Sequence, residues 1–389
     1  MPDTMRALVF DRKKHDWATT TGLWKTEVPR PRLDEVGADR SHALVRVLYA
    51  GFCGSDRGIW TRKAFGDMLL GSLEADAQDV RIVGHELVGE VVEVGARAAA
   101  KYGIKVGDVV SAESHIVCGV CYQCRHGQEH VCAKEKILGI SHDGVFADIV
   151  RLPAKALWPT DPARIRLEVA AVQEPFGNAV HACQVTDLRG KRVAIFGTGT
   201  IGLFAILIAK GMGASQVVGI EPDPRHRELA ARLGADPVFA PGPIDPNKPY
   251  AADPAVLTAI RELTAGLGVD VALEMSGAAP SLNTAIQATR RGGDVVMFGV
   301  RNGDAVIQDA HRIVMNGLRL HGVVGRRIFA TWELTRSLLQ HRENGIQDAI
   351  WDVILNRGEG PIVDIGDWDR ASFEQVMARW PKPLIRFGG

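Results

Sequence analysis

A chain of 389 residues, 46% hydrophobic and 24% charged, has enough apolar surface to bury for two or three domains. Its 46 basic and 46 acidic side chains cancel, so there is no basic field to draw nucleic acid or an anionic membrane, and neither is expected as a partner. The opening stretch MPDTMRALVFDRKKHD holds no apolar run long enough for a signal peptide, and a cytoplasmic protein is expected.

In chain order, residues 5 to 180 read as short alternating strands separated by glycine-rich turns, among them MRALVF, HALVRVLYAG, LVGEVVEVG and GDVVSAES. From about residue 190 the texture changes. RVAIFG and QVVGIE are short apolar strands, each followed by a helical pattern, LFAILIAKGMG and RHRELAARLG; VDVALEMSG and GGDVVMFGV continue the alternation. That pattern predicts a doubly wound parallel sheet with helices on both faces. The apolar stretch 193–209, VAIFGTGTIGLFAILIA, is broken by glycine and threonine and ended by Lys210, which favours a buried strand and packed helix over a membrane span. The Pro-rich stretch FAPGPIDPNKPYAADPA reads as a surface loop inside this second domain, and RASFEQVMARW followed by PLIRFGG as a closing helix and strand.

Three sets of residues carry chemistry. Cys118, Cys121, Cys124 and Cys132 fall within fifteen residues, spaced two, two and seven apart. Four thiolates complete a tetrahedral zinc shell and leave no position for substrate, so this lobe is expected to be structural. Two disulfides are the alternative, suited to an oxidising compartment. An open set is formed by Cys53 in GFCGSD, His85 and Glu86 in VGHELVGEVVEVG, and Glu174 in QEPFGNAV. Thiolate, imidazole and carboxylate are ordinary zinc ligands, and zinc with a vacant position is a Lewis acid. Adjacent residues on extended backbone point to opposite sides, so His85 and Glu86 face one metal only at a turn or helix start; otherwise one stands beside the metal.

The third set is Gly197, Gly199, Thr200, Ile201 and Gly202, a GxGxxG that follows the strand RVAIF and opens a helix. The glycines permit a tight turn, the approach of a pyrophosphate to the backbone, and close helix–strand packing. The helix N-terminus adds free N–H groups. Nineteen residues beyond Gly202, Glu221 ends the next predicted strand, where a carboxylate accepts both ribose hydroxyls of NAD and repels the 2′-phosphate of NADP. Arg225 is the residue that could instead accept that phosphate. Cys183 reads as a packed core thiol, and His181 lies at the domain junction.

Taken together, CGSD, GHELVGEVVEVG with the following Gly107-Asp108, the four-cysteine lobe and GTGTIG resemble the zinc-containing medium-chain dehydrogenase/reductase superfamily over essentially the whole chain. The resemblance implies an α/β protein: a GroES-like, mostly β catalytic domain over 1–178 with the zinc lobe at about 113–135, a Rossmann NAD-binding domain over 179–324, and a return to the catalytic domain over 325–389. It implies zinc in both sites, NAD, a homotetramer, and oxidation of a small-molecule secondary alcohol by hydride transfer. The implied substrate is threonine, with a polyol or sugar as the alternative. A noncatalytic cofactor-binding protein on the same fold is the reading from another class. The resemblance carries catalytic-metal roles to Cys53, His85, Glu86 and Glu174, the proton-accepting hydroxyl to Ser55, and a place on the substrate side to His115. Arg326 or Arg327, in GRRIFATW, is expected to bring positive charge to cofactor or substrate. Two departures stand out: Gly58 occupies a position where the superfamily commonly carries a histidine of the proton relay, and the 61–80 segment is longer than usual.

Overall fold

The computed structural model describes residues 3–34, 37–301 and 303–388, which form two compact units, Met1–Pro175 with Leu355–Gly389, and Phe176–Ile354. The first unit is mostly β. One antiparallel sheet runs Trp24–Pro29, Thr4–Asp11, Val80–Ile82. A larger sheet runs Leu157–Pro159, Val109–Ala112, Glu86–Val94, His42–Gly51, Leu384–Arg386, Ile362–Asp364, and Ile149–Pro153 also pairs with His42–Gly51. The apolar residues of these strands form a main core that includes Phe10, Val45, Leu87, Phe146 and Phe373, and a smaller cluster of Met5, Val9, Val28, Leu44 and Ile149.

In the second unit six parallel strands lie in the order Val238–Phe239, Gln216–Ile220, Arg192–Phe196, Val269–Glu274, Thr289–Met297, Arg319–Gly322. Numbered along the chain this is 3-2-1-4-5-6, the doubly wound order whose strand ends receive dinucleotides. The helix Thr200–Gly211 is buried continuously from Gly202 to Ala209, which explains its apolar sequence. Among the described residues no helix is long and apolar enough to cross a membrane.

The second unit does not end at residue 324. It continues through the helices Ala330–Gln340 and Ile346–Ala349 to Ile354, because Ile346, Ile350 and Ile354 are buried and this segment packs against the helix Thr200–Gly211. Its start also moves, from 179 to Phe176, inside the helix Gln173–Gln184.

Gly58 and the 61–80 segment meet in the structure. Gly58 lies in the short helix Gly54–Trp60, and Lys63 and Ala64 both donate their backbone N–H to its carbonyl. A Cβ at position 58 would sit 2.9 Å from that of Ala64. The turn leads into the helix Gly66–Ala75, whose Leu69 and Leu73 are fully buried in the first-unit core. The turn before this helix therefore sets the Ala64 side chain against the face where a longer side chain at 58 would stand. Gly58→His is expected to lose about 1–3 kcal/mol by overpacking. Equilibrium unfolding in urea checks this; a variant as stable as the parent would contradict the close packing.

Candidate active site and metal centres

The four cysteines converge where the sequence places them. The Sγ of Cys132 lies 3.5 Å from that of Cys118 and 3.8 Å from that of Cys121, and all six cysteines of the chain are free thiols. A disulfide requires about 2.05 Å, whereas tetrahedral zinc with bonds of about 2.3 Å spaces its sulfurs by about 3.8 Å. The backbone is bent to suit thiolates: Val120 and Cys121 donate N–H groups to the Cys118 sulfur, and Cys118 and Lys134 donate to that of Cys132. The Cys124 N–H, chief among such donors, brings the Cys121 thiol down to about 6, while burial pushes Cys124 up to about 12. The lobe fits zinc and no substrate. Cys121→Ser is expected to lose one zinc per chain and to lower Tm, with elemental analysis and calorimetry as the readouts. Full stability with loss of turnover alone would contradict a structural role. Because zinc must displace protons such as that of Cys124, its affinity for the lobe is expected to rise from about pH 6 to about pH 8 in a competition titration.

The open set is assembled by the first unit's central strands. Cys53 follows the strand His42–Gly51 and stands at the N-terminus of the helix Gly54–Trp60; His85 closes the loop after Val80–Ile82; Glu86 begins the strand Glu86–Val94. One ligand atom from each of the three lies within 4.8 Å of the others. The change from loop to strand between His85 and Glu86 lets adjacent side chains border the same point.

Two residues that the sequence reading passed over complete the arrangement. Asp56 is fully buried; its Oδ2 accepts the Cys53 N–H at 2.8 Å, and its Oδ1 lies 3.5 Å from Nδ1 of His85. A carboxylate facing Nδ1 leaves Nε2 to a metal, although at this separation the two atoms do not hydrogen-bond. Burial pushes the Asp56 carboxyl up to about 6 against the pull of His85. Burial also opposes charge on His85, but Asp56 and the Cys53 sulfur, with Glu174 beyond, outweigh it and hold the imidazole well above its usual range. Such an anionic pocket suits a cation.

The second is Lys382. Its Nζ lies 2.7 and 2.8 Å from the two oxygens of Glu86 and donates to the Phe52 carbonyl, and both side chains are withdrawn from water. Burial works against the Lys382 charge, but Glu86 and Cys53 keep the ammonium above its ordinary range. Lys382→Met leaves Glu86 buried without its partner and is expected to cost about 3–5 kcal/mol of stability. Denaturant unfolding of the zinc-loaded variant measures this; a change under about 1 kcal/mol would contradict the pairing.

The remaining expected residues fall as follows. Ser55 Oγ is 3.3 Å from Nε2 of His85. Glu174, buried at the start of the helix Gln173–Gln184, accepts a hydrogen bond from Ser114 Oγ at 2.7 Å. His115, next to Ser114, has its Nδ1 3.8 Å from Oε2 of Glu135, a residue of the cysteine-lobe segment. Arg326 is buried and donates to Asn178 Oδ1 at 2.7 Å, whereas Arg327 is exposed. Nδ1 of His181 is 2.9 Å from the Gly325 carbonyl, and Cys183 is buried, its thiol pushed up by desolvation.

The glycine loop has the expected geometry. Gly197 has φ +89°, and a Cβ there would lie 2.7 Å from that of Ser276; a Cβ at Gly202 would overlap the Gly197 carbonyl. At Gly199 nothing lies within 4 Å, so the space over the N-terminus of the helix Thr200–Gly211 is open to a pyrophosphate. Glu221 directly follows the strand Gln216–Ile220, is 6% exposed, and accepts N–H groups from Thr198 at 2.7 Å and Asp223 at 2.9 Å. Arg225 is exposed and held by the cap residue Asp223 at 2.9 Å. Arg227, which the sequence reading did not single out, is the arginine that reaches the Glu221 carbonyl, at 3.0 Å.

This combination of a closed four-thiolate site, an open Cys–His–carboxylate site and a doubly wound nucleotide fold defines a class. Residues 39–162 match the alcohol dehydrogenase GroES-like domain and residues 200–341 the zinc-binding dehydrogenase domain, and the chain belongs to the zinc-binding dehydrogenases of the medium-chain superfamily. It is an oxidoreductase of the zinc-dependent alcohol dehydrogenase type. The L-threonine 3-dehydrogenase of Pyrococcus horikoshii is 39% identical over 318 residues, covering 82% of this chain and 83% of its own. That of Pyrococcus furiosus is 38% identical over 328 residues, covering 84% and 86%. Among solved structures, alcohol dehydrogenase TADH from Thermus sp. ATN1 superposes with a TM-score of 0.77 at 26% identity, over 98% of this chain and 99% of its own.

Proposed function

We propose that the enzyme oxidises the secondary hydroxyl of L-threonine to give 2-amino-3-oxobutanoate, with NAD preferred over NADP. The observation that carries the substrate is the 39% identity, over most of both chains, to a relative named for this reaction. Cys53, His85 and Glu86, whose ligand atoms gather at one point, are the residues that would hold the catalytic zinc, with Glu174 as the further carboxylate of the set. When bound, zinc acts as the Lewis acid that makes the substrate hydroxyl acidic, and NAD is the hydride acceptor.

The chain's own residues supply position and a path for the proton. Asp56 faces the His85 ring, and Ser114 orients Glu174. Ser55 Oγ takes the substrate proton; with glycine at 58 there is no histidine there to carry it onward, so a water or a histidine from elsewhere in the chain completes the path. Glu221 holds the ribose hydroxyls in exchange for its bonds to Thr198 and Asp223. Threonine brings a carboxylate and an ammonium close to the reacting carbon. A pocket with partners for both leaves them unpaired with an uncharged polyol, which costs affinity for the wrong substrate.

Glu221→Ser removes ribose bonds to a charged acceptor worth about 1.5–3 kcal/mol and is expected to reduce kcat/KM for NAD by about 10- to 100-fold. Steady-state kinetics with both dinucleotides checks this, and a parent enzyme that prefers NADP would overturn the assignment. NAD reduction with L-threonine, sorbitol and glucose tests the substrate: kcat/KM for threonine is expected to exceed the others by at least about 100-fold. Oxidation of a polyol or aldose without activity on threonine would overturn the substrate and leave the dehydrogenase class intact.

A further inference from the structure

We propose that the first unit carries a second ligand site, for a small molecule that joins an anionic head of phosphate type to an apolar body. The site is a cavity of about 390 Å³, of the size that holds metabolites. It is walled by the end of the Trp24–Pro29 strand, the residues around Arg81, the 136–144 segment and the strand Ile149–Pro153, and none of the candidate zinc ligands lines it.

Charge is the first observation. Arg30, Arg81, Lys136 and Arg151 line the cavity against only two carboxylates, Asp76 and Asp143. Arg81, with 2% of its side chain exposed, engages both carboxylates at 3.0 and 3.3 Å, and Lys136 shares Asp76 at 3.3 Å. Arg151 pairs with Asp39, which is not part of the lining. Arg30, half-buried, has no side-chain hydrogen bond or ion pair among the described residues. A network meant only to neutralise a buried arginine would stop at Arg81 and its two carboxylates. Here Lys136 joins that network, Arg151 is balanced by Asp39, and the charge of Arg30 is left over for an anionic group.

The second observation is an unmet donor. Nε of Arg81 is buried and has no hydrogen-bond partner. A buried N–H of a guanidinium normally finds an acceptor, and an anion in this cavity would add acceptors next to a group built for forked recognition of phosphate. The third is the rest of the lining: Met5, Pro29, Pro31, Ile82, Ile149 and Val150 offer apolar surface to an organic body, which a site for free phosphate would not need. The cavity wall also runs into the active site's scaffold, since Gly144 and Val145 donate N–H groups to the carbonyls of Ile82 and Gly84, just before His85.

The test is isothermal titration of zinc-loaded enzyme saturated with NAD, which fills the dinucleotide cradle, using phenyl phosphate as the probe and inorganic phosphate and phenol as its separate halves. One phenyl phosphate per chain is expected, with Kd below about 1 mM. Both halves are expected to bind at least about tenfold more weakly, and Arg30→Glu and Lys136→Glu each to weaken the probe at least about tenfold with alcohol oxidation in its absence unchanged. Absence of saturable binding, or equal affinity in the two variants, would overturn the site. Phenol or inorganic phosphate binding as tightly as phenyl phosphate would overturn the ligand class.

Discussion

An ammonium and a carboxylate shut away from water, Lys382 against Glu86, hold the first unit in its working form. The two residues are 296 positions apart, so the pair exists only once the chain has left for the second unit and returned. The return strand Leu384–Arg386 pairs with His42–Gly51, which pairs in turn with Glu86–Val94, so the ion pair spans the sheet that presents Cys53 and His85. Gly51 stands opposite Glu86 in that register, and a side chain there would overlap the Glu86 carboxylate. Desolvating two charges is costly, and only the short bidentate contact, with the Phe52 carbonyl as a further acceptor, offsets it. The arrangement keeps a negative charge at the point where the ligand atoms of Cys53 and His85 gather.

The two metal centres divide the labour by the same logic of charge and access. Four thiolates saturate a tetrahedron and brace a lobe of irregular backbone that has little apolar core of its own. One thiolate, one imidazole and neighbouring carboxylates leave a position vacant, and the chemistry belongs there. The tie between them is Ser114, which holds Glu174 while the chain on its far side enters the lobe through His115 and Cys118. Loss of the lobe's metal would therefore be felt at Glu174 as well as in stability.

What could be read from the sequence was whatever is local. The glycine loop, the four cysteines and the alternation of strand and helix each lie within a few turns of chain, and their spacing expresses their geometry. Lys382 was invisible because a lysine in WPKPL carries no periodic or spacing signal, and its role depends on a partner nearly three hundred residues away. Asp56 lay inside the quoted CGSD, and a signal was there: an acid three residues after a candidate thiolate, at the start of a helix, can reach back to that residue's N–H. The second unit's end was misplaced because GRRIFATW, a motif tied to substrate, sits in a segment whose isoleucines serve the nucleotide unit's core. Arg225 looked like a phosphate receptor from its distance to Glu221, but a capping aspartate two residues before it captures the guanidinium, and Arg227 takes the place beside the strand end.

The central claim is that an open zinc site of mixed ligands exists apart from the cysteine lobe. Zinc K-edge X-ray absorption of the Cys121→Ser enzyme, freed of the lobe's metal, tests it most directly. The account predicts one remaining zinc per chain with a single sulfur neighbour near 2.3 Å and nitrogen or oxygen neighbours at about 2.0–2.2 Å. A zinc with several sulfur neighbours, or no zinc at all in a folded variant, would contradict it.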